Sequence, residues 1–269
     1  MIHLVSDSGA VPDTDAAPVN YPHDAVAIPG CPDHDVRFSV PLFTATEAAR
    51  YLDVPSSTFA SWVKGRQRDV PPRTITDGAP VVTGLAPELH GGPSIPFGGL
   101  AEALFLSALR SMGMWLRQVR PALDMLCDRM AVAHPLASRE LLVAGPDLLA
   151  DIGRSDTLDE AARRGARDLI VLRGDQYVFR DGIDRFLQRI EYDDGYASRL
   201  HLPRYEVAAI ATDTDTNFGR PYFDSNGTPL EVVKGLLKAG ATVDAVANDF
   251  NLPVDQVTDV AQRDSLLAP

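Results

Sequence analysis

Phe43-Thr-Ala-Thr-Glu-Ala-Ala-Arg-Tyr-Leu-Asp-Val-Pro-Ser-Ser-Thr-Phe-Ala-Ser-Trp-Val63 reads as two short helices joined by a tight turn. Thr44 and Glu47 have the spacing of a capping box, in which a hydroxyl accepts from the backbone three residues on and the carboxylate reaches back. Ala48, Ala49 and Leu52 make the inner face of the first helix and Asp53-Val54-Pro55 stops it. Ser56 or Ser57 then caps a second helix that runs through Phe59, Trp62 and Val63 to Gly65. Burying Ala48, Leu52, Val54, Phe59 and Trp62 or Val63 leaves Ser56, Ser57, Thr58, Ala60, Ser61 and Lys64 for solvent or a ligand. A helix of a little over two turns, held at a fixed angle by a partner, fits the major groove of duplex DNA, although the same unit also serves as plain packing in other proteins.

Charge sharpens that choice. The chain of 269 residues has a net charge of -12, the wrong sign for displacing counterions from phosphates, but the excess sits at its ends. Asp7, Asp13, Asp15, Asp24, Asp33 and Asp35 face only Arg37 between Met1 and Val40. From Tyr205 onward ten acids face Arg220, Lys234, Lys238 and Arg263. Between Phe43 and Arg73 the balance reverses, with Arg50, Lys64, Arg66, Arg68 and Arg73 against Glu47, Asp53 and Asp69. Hydroxyls and an exposed helix N-terminus bind phosphate, so the candidate DNA-binding set is Thr44, Ser56, Ser57, Thr58, Ser61, Lys64, Arg66, Arg68 and Arg73.

Outward from this unit, the first forty residues mix Pro, Asp, Ala and Val without periodicity and are expected to form a flexible acidic tail, with a short strand at Val36 to Val40. Downstream, Thr74-Ile75-Thr76 and Pro80-Val81-Val82-Thr83, joined near Asp77-Gly78, predict a β-wing. Leu100, Leu104, Phe105, Ala108 and Leu109, then Leu116, Val119, Leu123, Leu126 and Met130, predict two helices cornered at Gly113 and a seam for a homodimer. Glu140 to Val143, Leu148 to Ile152, Asp168 to Leu172, Gln176 to Phe179 and Tyr205 to Ile210 look like short strands, with a helix capped by Asp181 and running through Ile190. Pro229 to Ala239, Thr242 to Phe250 and Pro253 to Gln262 predict three closing helices, and the acids Asp244, Asp249, Asp255 and Asp259 make groove binding by the last two costly. The expected class is therefore α+β, mostly helical: a tail over 1–40, a winged helix-turn-helix module over 41–135, a mixed region over 136–203 and a three-helix module over 204–269.

Catalytic and metal chemistry find little support. Cys31-Pro-Asp-His34 offers two metal-ligand types without a second pair, and Cys31 and Cys127 make no disulfide framework, as in a reducing compartment. His134 before Pro135 reads as a helix-end residue, while Asp193-Asp194 and Asp213-Thr214-Asp215 read as solvated turns. No nucleophile has a base beside it, so no enzyme activity, metal or cofactor is expected. Without a spanning apolar run or a basic-then-apolar start, a cytoplasmic protein with no membrane partner is expected.

The string Phe43 to Val63 resembles the opening of MerR-type helix-turn-helix domains, and Arg110-Ser-Met-Gly-Met-Trp-Leu-Arg-Gln-Val-Arg120 resembles their second helix pair. The chain departs from many such relatives in carrying Ala60 and Ser61 where they carry arginines. Gly219-Arg-Pro-Tyr-Phe-Asp-Ser-Asn-Gly-Thr-Pro-Leu-Glu-Val-Val-Lys-Gly-Leu-Leu-Lys-Ala-Gly-Ala-Thr-Val-Asp-Ala-Val-Ala-Asn-Asp-Phe-Asn-Leu-Pro-Val-Asp-Gln-Val257 is similar to the small three-helix domain of antitoxins encoded beside PIN-type ribonuclease toxins. The order of the two parts resembles VapB-like antitoxins of actinobacteria. That resemblance implies a dimeric antitoxin that binds double-stranded operator DNA, represses its own operon and neutralises a VapC-like, PIN-type ribonuclease by direct contact. A stand-alone MerR-like transcription regulator without a toxin partner is the other reading.

Overall fold

The computed structural model describes residues 35–65, 67–70, 73–76 and 78–266, with 67–70 and 73–76 given as backbone. Residues 1–34 of the tail expected over 1–40, with Cys31 and His34, lie outside the described residues. At its border the chain forms a short helix, α1 (Val36–Ser39), where alternating Val36, Phe38 and Val40 had suggested a strand. The Asp35 carboxylate decides this, accepting from the Arg37 backbone N–H at 2.9 Å and so starting a helical turn. Only Phe38 is buried, its ring stacked on His134 at 3.9 Å, while Val36 and Val40 stay exposed.

Strand β1 (Pro41–Phe43) leads into α2 (Ala45–Tyr51) and α3 (Ser56–Lys64). A hairpin follows, β2 (Gln67–Val70) antiparallel to β3 (Arg73–Thr76), with Arg68 opposite Ile75. Val70 is paired with Arg73, so the hairpin closes ahead of the Asp77-Gly78 join that the sequence suggested, and 80–83 is no strand. The Val81 and Val82 N–H groups donate instead to the Trp62 carbonyl at 2.9 and 3.2 Å, which ties this loop to the end of α3. Strand β4 (Ile95–Pro96) pairs antiparallel with β1 and delivers the chain into α4 (Phe97–Ser111).

Every residue of α4 from Phe97 to Leu109 is buried, so the chain's own elements enclose this helix, and of the Phe97 to Val132 stretch expected as a dimer seam mainly the second helix has an outward face. Gly113, at φ 76°, turns the chain into α5 (Leu116–Met130). The middle is more helical than expected. Glu140–Val143 is α6, and Leu148 to Ile152 lies within α7 (Gly145–Arg154), which Pro146 starts. Short apolar runs do not distinguish strand from helix by periodicity, and the amphipathic α8 (Glu160–Leu169) went unread for lack of large apolar residues. After it come the hairpin β5 (Ile170–Arg173) and β6 (Gln176–Phe179), then α9 (Asp181–Leu187), whose N-cap is Arg180 and not Asp181.

A four-stranded antiparallel sheet closes this region in the order β10-β9-β8-β7, from β7 (Ile190–Asp193), β8 (Tyr196–His201), β9 (Ile210–Asp213) and β10 (Tyr222–Phe223). Tyr205 to Ile210 is mostly outside it, because the Val207 and Ala208 N–H groups donate to the Asp259 carboxylate at 2.9 Å each instead of to a strand. The closing helices α10 (Leu230–Lys238), α11 (Val243–Asp249) and α12 (Val254–Arg263) form as their Pro and Thr starts predicted. One apolar cluster runs from Phe38 to Ala261, so the ranges 41–135, 136–203 and 204–269 share a core. The fold is α+β and mostly helical.

Candidate nucleic-acid interface

Thr44 and Glu47 complete the capping box that starts α2: the Glu47 N–H donates to the Thr44 hydroxyl at 3.2 Å, and the Thr44 N–H donates to Glu47 Oε2 at 2.8 Å. The hydroxyl also donates to the same carboxylate at 2.9 Å, so Thr44 builds the unit from within and presents little to a ligand. Glu47 Oε1 accepts from Arg220 at 2.6 Å, and Arg220 donates again to the Leu42 carbonyl at 3.0 Å while lying over the Phe43 ring. Burial pushes the Glu47 carboxyl up, but the bonds from Arg220 and Thr44 outweigh it and hold the group below its ordinary value of 4.5. Arg220 was invisible as a partner in sequence, since 173 positions separate it from Glu47.

Between the helices Asp53 takes φ 54°, a left-handed conformation that a short polar residue tolerates. Pro55 is the N-cap of α3 and makes no side-chain cap bond, so Ser56 and Ser57 are the first helical residues and cap nothing. Phe59 and Trp62 are 0% and 3% exposed and share the apolar core with Ala48, Leu52 and Val54, all buried as predicted, so their burial fixes the angle of the helix. Their opposite face presents Ser57, Ser61 and Lys64 to solvent, residues four and three apart and hence in one row. Thr58 is half-buried, and its carbonyl accepts from the Ser61 hydroxyl at 2.6 Å. No acidic residue occurs in α3, and Lys64 has no ion-pair partner among the described residues.

Beyond Gly65, Arg68 and Arg73 lie on the paired strands β2 and β3, and Arg66 lies outside the described residues. Gly65 itself is buried at φ 71°, and a Cβ there would come within 2.5 Å of the Gly78 carbonyl oxygen, so the chain leaves α3 where only glycine fits. Behind the helix pair, buried Glu102 of α4 accepts from the Thr83 N–H at 2.5 Å and lies 3.0 Å from His134 Nδ1. His134 is thus a partner in a polar pin that holds the loop after the wing, more than the helix-end residue its sequence context suggested. Asp213 likewise is no free turn acid: it bonds the Tyr222 hydroxyl and the Thr216 N–H.

The comparisons agree with this geometry. Residues 41–123 match a family model described as "Putative DNA-binding HTH domain". A curated protein of Mycobacterium tuberculosis, named "Putative antitoxin VapB45", is 38% identical over 229 residues, covering 84% of this chain and 94% of the relative. The crystal structure of Rv2018 from M. tuberculosis superposes with a TM-score of 0.71 at 37% identity, covering 83% of this chain and 99% of that one. This chain belongs to the VapB45-like family of antitoxins that carry a helix-turn-helix.

Proposed function

We propose that this protein is a regulator that binds operator DNA through α3 and its wing, represses its own operon and neutralises a PIN-type, VapC-like ribonuclease by direct contact. One observation carries the DNA half: the outward row Ser57, Ser61 and Lys64 is solvent-exposed, free of acids and held rigid by Phe59 and Trp62. Ser56 and Thr58 add donors near the helix start, and Arg66, Arg68 and Arg73 supply backbone or minor-groove contacts from the wing. One such helix reads few bases, so the protein acts as a homodimer on a twofold operator.

For the toxin half, α10 leaves Val232 and Leu236, one turn apart, at 44% and 37% exposure. Acidic Glu231, Asp244 and Asp249 belong to the same module. Exposed apolar side chains one turn apart on a helix suit a protein partner. The reading predicts a small PIN-type nuclease gene beside this one, whose product is expected to co-purify on co-expression, and V232D/L236D is expected to abolish that complex while operator affinity stays unchanged. No complex with any neighbouring gene product would refute the antitoxin role.

A stand-alone regulator is the second reading, and a cavity of about 350 Å³ favours it. Its walls include the Leu52–Val54 turn, Arg110, Trp115 and Phe186, so a small ligand there would touch the helix-turn-helix directly.

A further inference from the structure

Away from the recognition row lies a second concentration of cations. A cavity of about 370 Å³ between α2, α10 and the end of α12 has Arg50, Arg204, Lys234, Lys238, Arg263 and Asp264 as its charged lining, with Ser265 and Leu266 beside them. Five cations and one carboxylate are an unusual lining in a chain of net charge -12.

The single acid is already committed. Asp264 accepts from Arg204 Nε at 2.9 Å and from the Tyr205 hydroxyl at 3.1 Å, and its Oδ2 lies 3.1 Å from Lys234 Nζ. Lys234 is only 3% exposed. An ammonium carries three donors, and Glu231 at 2.8 Å and Asp264 take two, so the third has no protein partner among the described residues. Arg263 is met by Glu206 at 2.8 Å and Asp259 at 3.5 Å, and Arg204 by Asp53 at 3.9 Å. Arg50 and Lys238 have exposed side chains and no acidic partner among the described residues. Burying a cation with a spare donor beside two unpaired ones is costly unless an anion completes the set.

We propose that this cavity is a phosphate-binding site, in which Arg50, Lys234 and Lys238 donate to one tetrahedral oxyanion. Guanidinium and ammonium donors suit phosphate oxygens, and the volume leaves room for the ester group attached to them. Such a phosphate is either a phosphodiester of duplex DNA or part of a free phosphorylated small molecule. Occupancy bears on the helix-turn-helix, because Arg50 lies three residues before Asp53 and the Arg204 N–H donates to the Tyr51 carbonyl at 3.3 Å. The site does not depend on the DNA reading, since inorganic phosphate probes it alone.

The test uses the full chain, titrated calorimetrically with inorganic phosphate in low-salt chloride buffer, beside R50Q/K238Q checked for its fold by circular dichroism. A parallel arm measures duplex DNA affinity against salt for both proteins. Phosphate binding that weakens at least tenfold in the variant, with an unchanged salt slope, supports the site and assigns a free phosphorylated ligand. A salt slope reduced by about 0.9, the release expected for one phosphate, supports it and assigns the phosphodiester. Identical salt slopes together with phosphate binding that is equal in both proteins, or absent from both, overturn the proposal. If the double variant fails to fold, K238Q alone, at an exposed helix end, carries the same comparison. Absence of DNA binding by the wild type would sink the interface reading and leave the phosphate arm intact.

Discussion

Two helix pairs in this molecule share one backbone plan and differ in what they show to solvent. In the first, Thr44 caps a seven-residue α2, Asp53 turns at φ 54°, and Pro55 starts α3. In the second, Thr242 caps a seven-residue α11, Asn251 turns at φ 50°, and Pro253 starts α12. Even the turn bonds correspond, with Val54 N–H to Ala49 and Leu252 N–H to Ala247 both at 2.9 Å. Phe59 and Val257 occupy the same place in their helices, and each is 0% exposed. The outer positions diverge: Ser57 of α3 corresponds to exposed Asp255 of α12, and Ser61 to Asp259, which is turned inward to bind the 207–208 backbone. Helix-turn-helix geometry alone therefore does not assign a groove reader, and the proposed assignment to α3 rests on the charge of its outer face.

The comparison breaks most visibly in the core. Phe59→Ala is expected to cost about 3–5 kcal/mol and to remove operator binding along with the orientation of α3. Val257→Ala, at the matching place, is expected to cost about 2 kcal/mol and to leave the operator affinity of the folded protein unchanged, as read by urea unfolding beside fluorescence anisotropy. Equal losses of affinity in the two variants would show that the pairs share the DNA.

Exchanging the outer residues isolates charge. Ser57→Asp gives α3 the residue that α12 carries, and operator affinity is expected to fall at least tenfold, roughly 1.4 kcal/mol. Asp255→Ser is expected to change it by less than twofold in the same assay. A gain of DNA affinity in Asp255→Ser would mean that the second pair also faces the duplex.

A smaller effect separates the two pairs by how they are anchored. Arg220→Ala removes the clamp on Glu47 and is expected to cost about 1–2 kcal/mol, between an exposed pair and a buried charged hydrogen bond. Because folding depresses the Glu47 carboxyl below its ordinary value of 4.5, its contribution is present above that pH and is lost as pH falls through the lower, folded value. Asp264 behaves alike below 3.8: burial raises it, but Lys234 and Arg204 lower it further. Unfolding free energy against pH is thus expected to drop more shallowly on the acid side in Arg220→Ala than in the wild type. An unchanged acid limb would exclude the clamp as a source of stability.

What could be read from the chain followed from local chemistry. Thr44, Glu47, Thr242 and Pro253 mark helix starts by their own hydrogen bonding or fixed φ, Pro55 marks the stop of the first helix, and Phe59 with Trp62 marks a buried face by spacing, so both pairs were visible. The exposed row Ser57, Ser61 and Lys64 followed from the same spacing. The middle failed because Glu140 to Val143 and Leu148 to Ile152 are too short for periodicity to decide, and because α8 buries small residues such as Ala162, Gly165 and Ala166. Contacts between distant segments were beyond reach in principle: Arg220 on Glu47, Asp259 on the 207–208 backbone and the cations around Lys234 meet only in the folded chain.

The most direct measurement of the central claim is the salt dependence of operator binding for Lys64, Arg66 and Arg68 changed together to Ala. If the acid-free face of α3 and its wing meet the phosphates, affinity falls and the slope of log affinity against log salt flattens by up to about 2.7, for three released counterions, with the fold intact. An affinity and a slope identical to those of the wild type would contradict the account.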